Sequence, residues 1–573
     1  MKRLFKYLKN YRRETVLAPL FKLCEAVAEL FVPLVIAAMI DNGIRLSDEG
    51  FVLRSAALLA VLGLIGFGLA VTAQYFAAKA AVGFAKELRF ALFEKIQKFS
   101  YSRLDGIGIS TLITRMTSDI DQIQAAVNLT LRLLLRSPFI VFGAAIMAFT
   151  VDPDTAVVFV IVIPLLAAAV FGIMLVCLPM QKKIRASLDK VLSKTRENLL
   201  GIRVIRAFCK EKSEVSEFDA ENENLARIQK FTGRISSLLN PLCFLLVNLF
   251  VILLIYKGAL RVEHGMMTQG AVVAMYNYMS QILVELIKLA NLIINVTKGI
   301  ACGNRVQAVL DSAEGEPKAA KAAPESGGLI EFRGVSFRYD GAAGDALCDI
   351  SFKLGKGETL GVIGGTGSGK TTLVNLLAGF YRATGGKILI RGENIDSVDG
   401  KELRKIIGLA PQKAVLFSGT LRENLCWRDP GATDDDLLKA LETARALDTV
   451  GSKDGGLDCT VEPGGLNFSG GQRQRLAVAR ALVGSPEILI LDDSASALDF
   501  ATEAAMRKAL KKGAGDRATV IVSQRTSSIA HADRILVLNE GRQVGLGTHD
   551  ELLENCEVYR EIYESQFKKE AAV

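Results

Sequence analysis

The residues best suited to chemistry form a glycine-rich loop, residues 364–371, with the pattern G-x-x-x-x-G-K-[ST]. An apolar strand precedes this loop and a helical segment follows it. In that context backbone N–H groups surround a phosphate, and the helix adds its positive N-terminal end. Lys370 would reach the outer phosphates, and Thr371 would offer its hydroxyl to Mg²⁺. The predicted residues for ATP and Mg²⁺ are Gly364, Thr366, Gly367, Ser368, Gly369, Lys370, Thr371 and Thr372.

Two further apolar runs end in polar residues that suit the same nucleotide. Residues 488–491 are followed by Asp492 and Asp493, which is typical of a buried strand that ends at a metal-bound nucleotide. Residues 518–522 are followed, two positions on, by Gln524. We interpret Asp492 as a ligand of Mg²⁺, and Asp493 and Gln524 as the candidate catalytic residues.

The composition divides the chain of 573 residues into two parts. Residues 14–300 are dominated by long apolar runs, whereas residues 328–573 have the composition of a soluble α/β domain. Residues 311–327 are rich in Ala, Glu, Lys, Pro and Gly, which indicates a linker. The predicted fold class is a membrane all-α domain with six helices and long cytoplasmic helical arms, residues 1–310. It is fused to an α/β P-loop nucleotide-binding domain, residues 328–573.

Six apolar segments are long enough to cross about 30 Å of hydrocarbon as helices. They cover residues 15–40, 55–83, 127–151, 155–179, 236–259 and 270–296. A basic amphipathic segment precedes them and suits an elbow helix on the inner leaflet rather than a cleavable signal peptide. Lys and Arg concentrate before span one and after spans two and four. Both termini are therefore predicted to be cytoplasmic, in the cytoplasmic (inner) membrane of a bacterium.

The charge and cysteine patterns argue against other classes of function. The basic cytoplasmic loops account for the net charge of +8, so we expect no nucleic acid partner. The nine cysteines form no C-x-x-C pair, which favours reduced thiols over disulfides or a metal site.

The connections after spans two and four are helical in pattern and about 45–55 residues long, so at about 1.5 Å per residue paired arms extend more than about 25 Å from the membrane. Short turns are predicted at their tips, near residues 108–115 and 206–211. Arms of this length favour levers that contact a cytoplasmic motor over a simple membrane anchor.

With these motifs in this order, the chain resembles the ABC (ATP-binding cassette) exporters in their half-transporter form. The resemblance implies that Tyr339, 25 residues before the phosphate loop, stacks on adenine. It implies that Gln412 binds Mg²⁺ and contacts the coupling arms, and that Asp499 belongs to a loop at the dimer interface. Residues 467–472 resemble the family signature, with Phe468 where Leu is commoner. The signature residues that would receive phosphate are Ser469, Gly470, Gly471 and Gln472.

The signature also begins a helix, so it provides a second phosphate receptor. In the family each ATP lies between the phosphate loop of one chain and the signature of the other. Closing this dimer moves the arms, and the membrane cavity then opens to the other side.

Two positions depart from the family pattern. Rapidly hydrolysing members have Glu where this chain has Asp493, and His where it has Gln524. Asp is shorter by one methylene, and misplacing a general base by about 1 Å can cost about 100-fold in rate. Gln cannot become a cation. The resemblance therefore implies a heterodimer with a second half-transporter, in which this chain contributes a degenerate ATP site; the alternative is a homodimer with two slow sites.

Span one contains ionisable residues at membrane depth, Lys22, Glu25 and Glu29. Such residues usually face a wet cavity or a partner. One interpretation is a cation-attracting patch in the substrate pathway. The other is that Lys22 pairs with Glu25 while Glu29 pairs with a neighbouring helix. Arg132 and Arg136, near the start of span three, are expected to reach the interface or to pair with these acids.

The predicted function is ATP-driven export of amphipathic small molecules, lipids or peptides across the bilayer, coupled to ATP hydrolysis. The alternatives are import by an exporter-like fold, as in some siderophore carriers, and an ATP-gated membrane regulator that does not pump. The intact signature argues against the regulator. Substrate identity cannot be derived from apolar spans.

Overall fold

The computed structural model describes residues 2–312 and 328–567 and divides into two compact units. Unit one comprises Met1–Gln97 and Ser110–Ser312, and unit two comprises Lys98–Ile109 and Ala313–Val573. Residues 313–327, most of the predicted linker, lie outside the described residues.

Unit one contains six helical stretches that are long and apolar enough to cross a membrane, counted over the described residues. They are Arg3–Ile44, Glu49–Gln97, Ile109–Val151, Pro153–Leu200, Glu211–Glu263 and Gln269–Leu310. The first begins with a 3₁₀ segment, Lys2–Tyr11. Its α-helices are α1 (Arg12–Ala38), α2 (Glu49–Gln97), α4 (Ile109–Thr114), α5 (Ile120–Leu133), α6 (Arg136–Val151), α7 (Pro153–Leu200), α8 (Ile202–Ala207), α9 (Glu211–Ser237), α10 (Leu239–Glu263) and α11 (Gln269–Leu310), with α3 (Tyr101–Ile107) in unit two. The predicted six-helix fold class is confirmed.

Local side chains fix the helix starts at one end of unit one. Asp152 caps α7 by accepting from the backbone N–H of Thr155 at 3.0 Å, and Pro153 occupies the first turn. Arg261 donates to Asp152 at 2.8 Å and to Asp154 at 2.6 Å, which joins α10 to the start of α7.

The long arms take the form of uninterrupted helices. α2 has 49 residues and α7 has 48, well beyond the roughly 20 residues that a membrane crossing needs. The first tip is the short helix α3, which ends at Gly108 with φ 81°. The turn predicted near residues 108–115 is confirmed at Gly108 but is shorter than predicted, because the chain is helical again from Ile109. The second tip, α8, lies close to the prediction.

Unit two is built on a ten-stranded sheet of order β5-β4-β1-β2-β12-β11-β3-β10-β9-β6 and a small pair, β7-β8. The strands are β1 (Ile330–Phe337), β2 (Leu347–Leu354), β3 (Thr359–Gly364), β4 (Gly385–Ile390), β5 (Glu393–Asn394), β6 (Ile407–Ala410), β7 (Gly419–Thr420), β8 (Thr460–Val461), β9 (Ile488–Asp492), β10 (Ala518–Val522), β11 (Arg534–Asn539) and β12 (Arg542–Gly547). Strands β11, β3, β10, β9 and β6 run parallel, whereas β1, β2, β4 and β5 pair antiparallel.

Helices cover both faces of the parallel strands. They are α12 (Lys370–Leu377), α13 (Gly400–Ile406), α14 (Leu421–Leu425), α15 (Asp434–Thr443), α16 (Leu447–Gly451), α17 (Gly470–Leu482), α18 (Phe500–Lys512), α19 (Thr526–Ile529), α20 (His549–Asn555) and α21 (Glu557–Phe567). Ile490 packs in the core that contains α12, and its neighbour Leu491 packs in the core that contains α17. Burial on both faces explains why these strands are apolar throughout rather than alternating.

Candidate functional site

Four adjacent parallel strands deliver the candidate site to one edge of the sheet. β3 leads into the phosphate loop, β6 into Gln412, β9 into Asp493 and β10 into Gln524. Carboxyl ends of parallel strands meet at the same edge, where α/β proteins bind ligands. The strands open onto a cleft of about 570 Å³. The sequence-predicted residues that line it are Tyr339, Thr366, Gly367, Ser368, Gly369, Lys370, Thr371, Thr372, Gln412, Asp492, Asp493 and Gln524.

The phosphate loop closes tightly because two of its glycines leave no room for a side chain. A Cβ at Gly364 would lie 2.1 Å from the carbonyl oxygen of Leu538. Gly369 has φ 99°, and a Cβ there would lie 2.5 Å from Leu347 Cδ2. These two positions therefore require glycine for the loop to keep its N–H groups turned towards the cleft.

Lys370 lies over the loop that it follows. Its Nζ donates to the carbonyl oxygens of Gly364 at 2.8 Å and Gly365 at 2.7 Å, and contacts Ser368 Oγ at 3.3 Å. Burial lowers the pKa of Lys370, and the carboxylates of Asp493 and Asp492 oppose that shift. A partly desolvated cation held at the rim of a phosphate cradle is suited to bind outer phosphates.

The two consecutive carboxylates differ in burial. The pKa of Asp492 is raised to about 6, first by burial and then by the nearby Asp493, while Lys370 opposes the shift. Burial also raises the pKa of Asp493, while Lys370, Arg525 and a hydrogen bond from Gln412 oppose that shift. Burial and the neighbouring charge make the ionised form of each carboxylate less favourable, and a bound cation would offset both effects, which makes this pair a suitable cation site.

Asp493 also has an unusual backbone. Its φ is 47°, in the left-handed region, and its N–H donates to the carbonyl oxygen of Val522 at 3.0 Å. Asp and Asn enter this region more readily than other side chains because their short polar groups bond locally. The turn after β9 therefore suits Asp by its backbone as well as by its charge.

Three oxygen donors in the cleft fit Mg²⁺. The hydroxyl of Thr371, the amide oxygen of Gln412 and the carboxylate of Asp492 all line it. Mg²⁺ prefers hard oxygen ligands and is often shared between one or two protein groups and phosphates. In the part of the chain that the structure describes, no three His, Cys, Asp or Glu residues gather into a metal site. The donor set therefore fits Mg²⁺ bound together with a nucleotide.

Tyr339 lies in the segment between β1 and β2, and it lines the same cleft as the two carboxylates. Its hydroxyl is 3.1 Å from Thr372 Oγ1, which ties the ring to the first turn of α12. Its ring meets Tyr381 edge to face, with centroids 5.4 Å apart. A tyrosine held in this way offers an aromatic face for stacking, as the resemblance implies for adenine.

The aromatic contact continues into the first arm tip, α3, which belongs to unit two. Tyr101 stacks on Phe380 with centroids 4.3 Å apart. Tyr381 donates from its hydroxyl to the carboxylate of Asp105. Sequence analysis missed Tyr101, Asp105 and Tyr381, because no local motif marks them.

The signature residues lie apart from this cleft. Ser469, Gly470, Gly471, Gln472 and Asp499 are absent from its lining, as is Gly364 at the end of β3. Ser469 and Gln472 form a reciprocal cap at the start of α17, with Gln472 Oε1 2.9 Å from the Ser469 backbone nitrogen. Asp499 caps α18, accepting from the Thr502 backbone N–H at 2.8 Å. Phe468 is buried, so the replacement of Leu is accommodated in the core.

Gln474 and Arg525, which sequence analysis also missed, both bond to the loop after Asp493. Gln474 Nε2 donates to Ser496 Oγ at 3.0 Å, and its Oε1 accepts from Ala497 N–H at 2.9 Å. Gln474 therefore joins α17 to the loop after Asp493. Arg525 pairs with Glu503 at 3.2 Å and donates to the backbone of that same loop.

Unit one contains a cluster of charged side chains that joins α1, α6 and α11. Arg136 donates to Glu29 at 2.6 Å and to Glu285 at 2.6 Å. Glu285 also accepts from Ser137 at 2.7 Å and from Lys288 at 2.8 Å. The charges are therefore paired across three spans rather than left unpaired.

The pairing interpretation of span one agrees with this geometry. Lys22 donates to Glu25 at 2.5 Å, and Arg136 supplies the neighbouring-helix partner expected for Glu29. Arg132 is half-buried, and its Nε lacks a hydrogen-bond partner among the described residues. Sequence analysis overlooked Glu285, although an acid within an apolar span was a signal available to it.

Comparisons with known proteins agree with both units. The family described as ABC transporter transmembrane region matches residues 15–286, and the family described as ABC transporter matches residues 347–496. An uncharacterised ABC transporter ATP-binding protein of Mycobacterium tuberculosis (strain ATCC 25618 / H37Rv) is 35% identical over 569 residues, which cover 98% of this chain and 97% of the relative.

Two further matches carry more specific descriptions. The ATP-dependent lipid A-core flippase of Syntrophus aciditrophicus (strain SB) is 31% identical over 486 residues, 84% of this chain and 80% of the relative. The putative multidrug export ATP-binding/permease protein of Bacillus subtilis (strain 168) is 29% identical, covering 99% and 98%. Among solved structures, a bacterial Atm1-family ABC exporter with ATP bound matches with a TM-score of 0.78 and 24% identity, covering 97% of this chain and 98% of the other.

Proposed function

Since this chain belongs to the ABC transporter family and is a multi-pass membrane protein of exporter fold whose ATP-binding domain drives transport, we propose that it is one half of an asymmetric heterodimeric exporter. Its own ATP site binds nucleotide and cleaves it slowly. The observation that supports this most directly is the cleft itself, where a full set of binding groups surrounds Asp493 and Gln524.

In the proposed site, residues of this chain bind ATP from its base to its outer phosphates. Tyr339 stacks on the base, and the N–H groups of the phosphate loop and Lys370 receive the phosphates. Thr371, Gln412 and Asp492 would hold Mg²⁺, which neutralises charge on the phosphates when bound. Each of these groups lines the one cleft.

Cleavage is limited by the groups that act on the attacking water. Hydrolysis transfers the γ-phosphoryl group to water, releasing ADP and phosphate, and a carboxylate must orient the water and accept its proton. The Asp493 side chain is one methylene too short for a base placed to suit Glu. Gln524 offers a hydrogen bond to the γ-phosphate but no positive charge. Slow cleavage at this site follows.

The second receptor acts on the partner. Ser469 and Gly470 are exposed and lie outside this chain's own cleft, at the start of a 13-residue helix. They would receive the γ-phosphate bound to the phosphate loop of a second half-transporter. If that partner has the usual Glu and His, the shared site hydrolyses quickly, and closure of the dimer moves the arms.

The proposed substrates are amphipathic small molecules, lipids or peptides. Two matched proteins are described as a lipid A-core flippase and a putative multidrug exporter, and both descriptions fit this chemistry. The proposed location is the inner membrane of a bacterium, with both termini cytoplasmic, because Lys and Arg concentrate in the loops on that side.

The test begins with the assembly. The tagged chain is purified from membranes of its own host, and its partners are identified by mass spectrometry. An equimolar second half-transporter is expected. Recovery of only copies of this chain would support the homodimer instead.

Transport is then measured in vesicles that contain both chains and a fluorescent amphipathic dye. ATP-dependent movement out of the cytoplasmic-facing side is expected. Movement in the opposite direction would favour import, and ATP binding with no movement of any tested amphiphile would favour a regulator.

A further inference from the structure

The last described helix, α21, binds the loop that carries Gln524. Gln566, near its end, accepts with Oε1 from the Thr526 backbone N–H at 2.9 Å and from Thr526 Oγ1 at 2.8 Å. Its Nε2 donates to the carbonyl oxygen of Gln524 at 2.7 Å. A backbone N–H only donates and a carbonyl only accepts, so these partners fix which end of the Gln566 amide is which.

The residue between these two is held from the other side. Arg525 pairs with Glu503 at 3.2 Å and donates to the backbone carbonyls of Ser496 and Leu498, in the loop after Asp493. Residues 524–526 therefore lie between α21 and that loop, with alternate residues bonded to opposite sides. Of these three residues, Gln524 alone lines the candidate nucleotide cleft.

The bonds to Gln566 bear directly on where that side chain points. Thr526 is fully buried, so its N–H has no access to water if Gln566 is lost. The carbonyl oxygen of Gln524 fixes the peptide plane that follows its Cα. Freeing both groups would leave the backbone of Gln524 less firmly held, and with it the side chain that the proposed site directs at the γ-phosphate.

We propose that Gln566 is a positioning residue for Gln524, and that α21 is thereby coupled to the γ-phosphate of ATP bound in the cleft. This inference rests on the proposed function of the site. Coupling between sites is reciprocal, so ATP must stabilise the docking of α21 to the same extent that Gln566 favours ATP. ADP lacks the γ-phosphate, so the affinity for ADP should not depend on Gln524.

The test compares the affinities for ATP and ADP in the purified full-length chain. Gln566→Leu removes all three bonds, and Gln566→Glu keeps the acceptor for Thr526 but loses the donor to Gln524. The matched control is Ser565→Ala, because the Ser565 hydroxyl bonds only to its own helix, at Ile562. For Gln566→Leu we expect a loss of about 3- to 10-fold in ATP affinity. This is the range for one lost hydrogen bond, here the bond from Gln524 to the γ-phosphate. ADP affinity should stay unchanged. Gln566→Glu should also lose ATP affinity, because its carboxylate oxygen would face the carbonyl oxygen of Gln524. Ser565→Ala should match the wild type.

Hydrogen exchange supplies the reciprocal measurement. In the wild type, ATP should slow amide exchange in residues 557–567 and ADP should not; in Gln566→Leu this difference should vanish. If Gln566→Leu does not fold, the ratio of ATP affinity to ADP affinity is measured in Gln566→Glu instead. An unchanged ratio in a folded variant overturns the role of Gln566 alone. Failure of the wild-type chain to bind either nucleotide overturns the proposed function as well.

Discussion

The hydroxyl of Tyr381 donates a hydrogen bond to the carboxylate of Asp105, which joins the helix α3 to the segment that follows α12. The same Tyr381 ring contacts Tyr339, which lines the candidate nucleotide cleft. In sequence, α3 lies between spans two and three. A single side chain therefore contacts both the residue proposed to stack on adenine and the tip of an arm.

Tyr381→Phe should uncouple ATP binding from transport. The ring and its contact with Tyr339 remain, so ATP affinity should stay unchanged. The bond to Asp105 is lost, and stimulation of ATPase activity by transported substrate should fall by about 3- to 10-fold, the range of one hydrogen bond. Asp105→Asn keeps an oxygen acceptor and should behave nearly as the wild type. Full stimulation in Tyr381→Phe would contradict the prediction.

Lys370→Ala should weaken nucleotide occupancy more than it changes turnover at this chain's own site. The change removes the cation over the phosphate loop, so ATP affinity should fall by about 10-fold or more, as for lost charged hydrogen bonds. Hydrolysis by the complex should also slow, because the closed dimer loses one bound ATP. Equilibrium binding with a fluorescent ATP analogue measures the first effect, with the exposed Lys413→Ala as control. Equal affinity in the two variants would reject the assignment of Lys370.

Ser469→Arg should stop hydrolysis by the complex, whereas Asp493→Asn should change it little. The first places bulk and charge where the partner's γ-phosphate would lie, and loss of such transition-state contacts costs about 100-fold or more. The second alters a base that is already poorly placed. Steady-state ATPase activity of the purified heterodimer compares them. Equal losses would mean that this chain cleaves its own ATP.

Asp493→Glu together with Gln524→His should restore hydrolysis at this site and widen the separation of the two nucleotide-binding domains without nucleotide. The longer acid reaches the water, and His can carry a charge to the γ-phosphate. The left-handed backbone at position 493 opposes the change, and we expect a stability cost of about 1 kcal/mol. Single-turnover hydrolysis is measured with the partner's base disabled, beside a spin-label distance across the interface. No gain in cleavage would indicate that the partner's signature limits this site. Cleavage without wider separation would leave only the chemical effect.

Arg136→Met should destabilise the membrane unit strongly. Glu285 is only 2% exposed and would keep Lys288 as its cationic partner after losing Arg136, and breaking a buried ion pair costs about 3–5 kcal/mol. Adding Glu285→Gln should recover part of the loss, because it removes a buried charge that Lys288 alone would have to balance. Thermal unfolding in detergent measures both, with Arg132→Met as control. Equal melting temperatures for Arg136→Met and Arg132→Met would show that the cluster contributes no stability.

The predictions from sequence succeeded where the determinants are local. The phosphate loop is one strand, one turn and one helix, and the two carboxylates directly follow a buried strand, so short-range patterns suffice to find them. The six spans are equally local, since each is defined by its own hydropathy.

The features that were missed depend on contacts between distant residues. Arg136 and Glu285 are 149 positions apart, and Gln566 and Gln524 are 42 apart. No periodicity encodes such pairs. The extent of the first arm tip was mispredicted for a related reason: helical residues lie on both sides of Gly108, and Tyr101 of α3 stacks on Phe380, a residue distant in sequence.

The charge cluster has a consequence for how the chain enters the bilayer during synthesis. Arg136 is made 149 residues before Glu285, an interval of roughly 7–30 s at about 5–20 residues per second. During that interval the acidic partners of Arg136 already made are Glu25 and Glu29, both in span one. Span three must therefore reach hydrocarbon with its arginine paired to span one alone, or wait beside the insertion machinery until span six arrives.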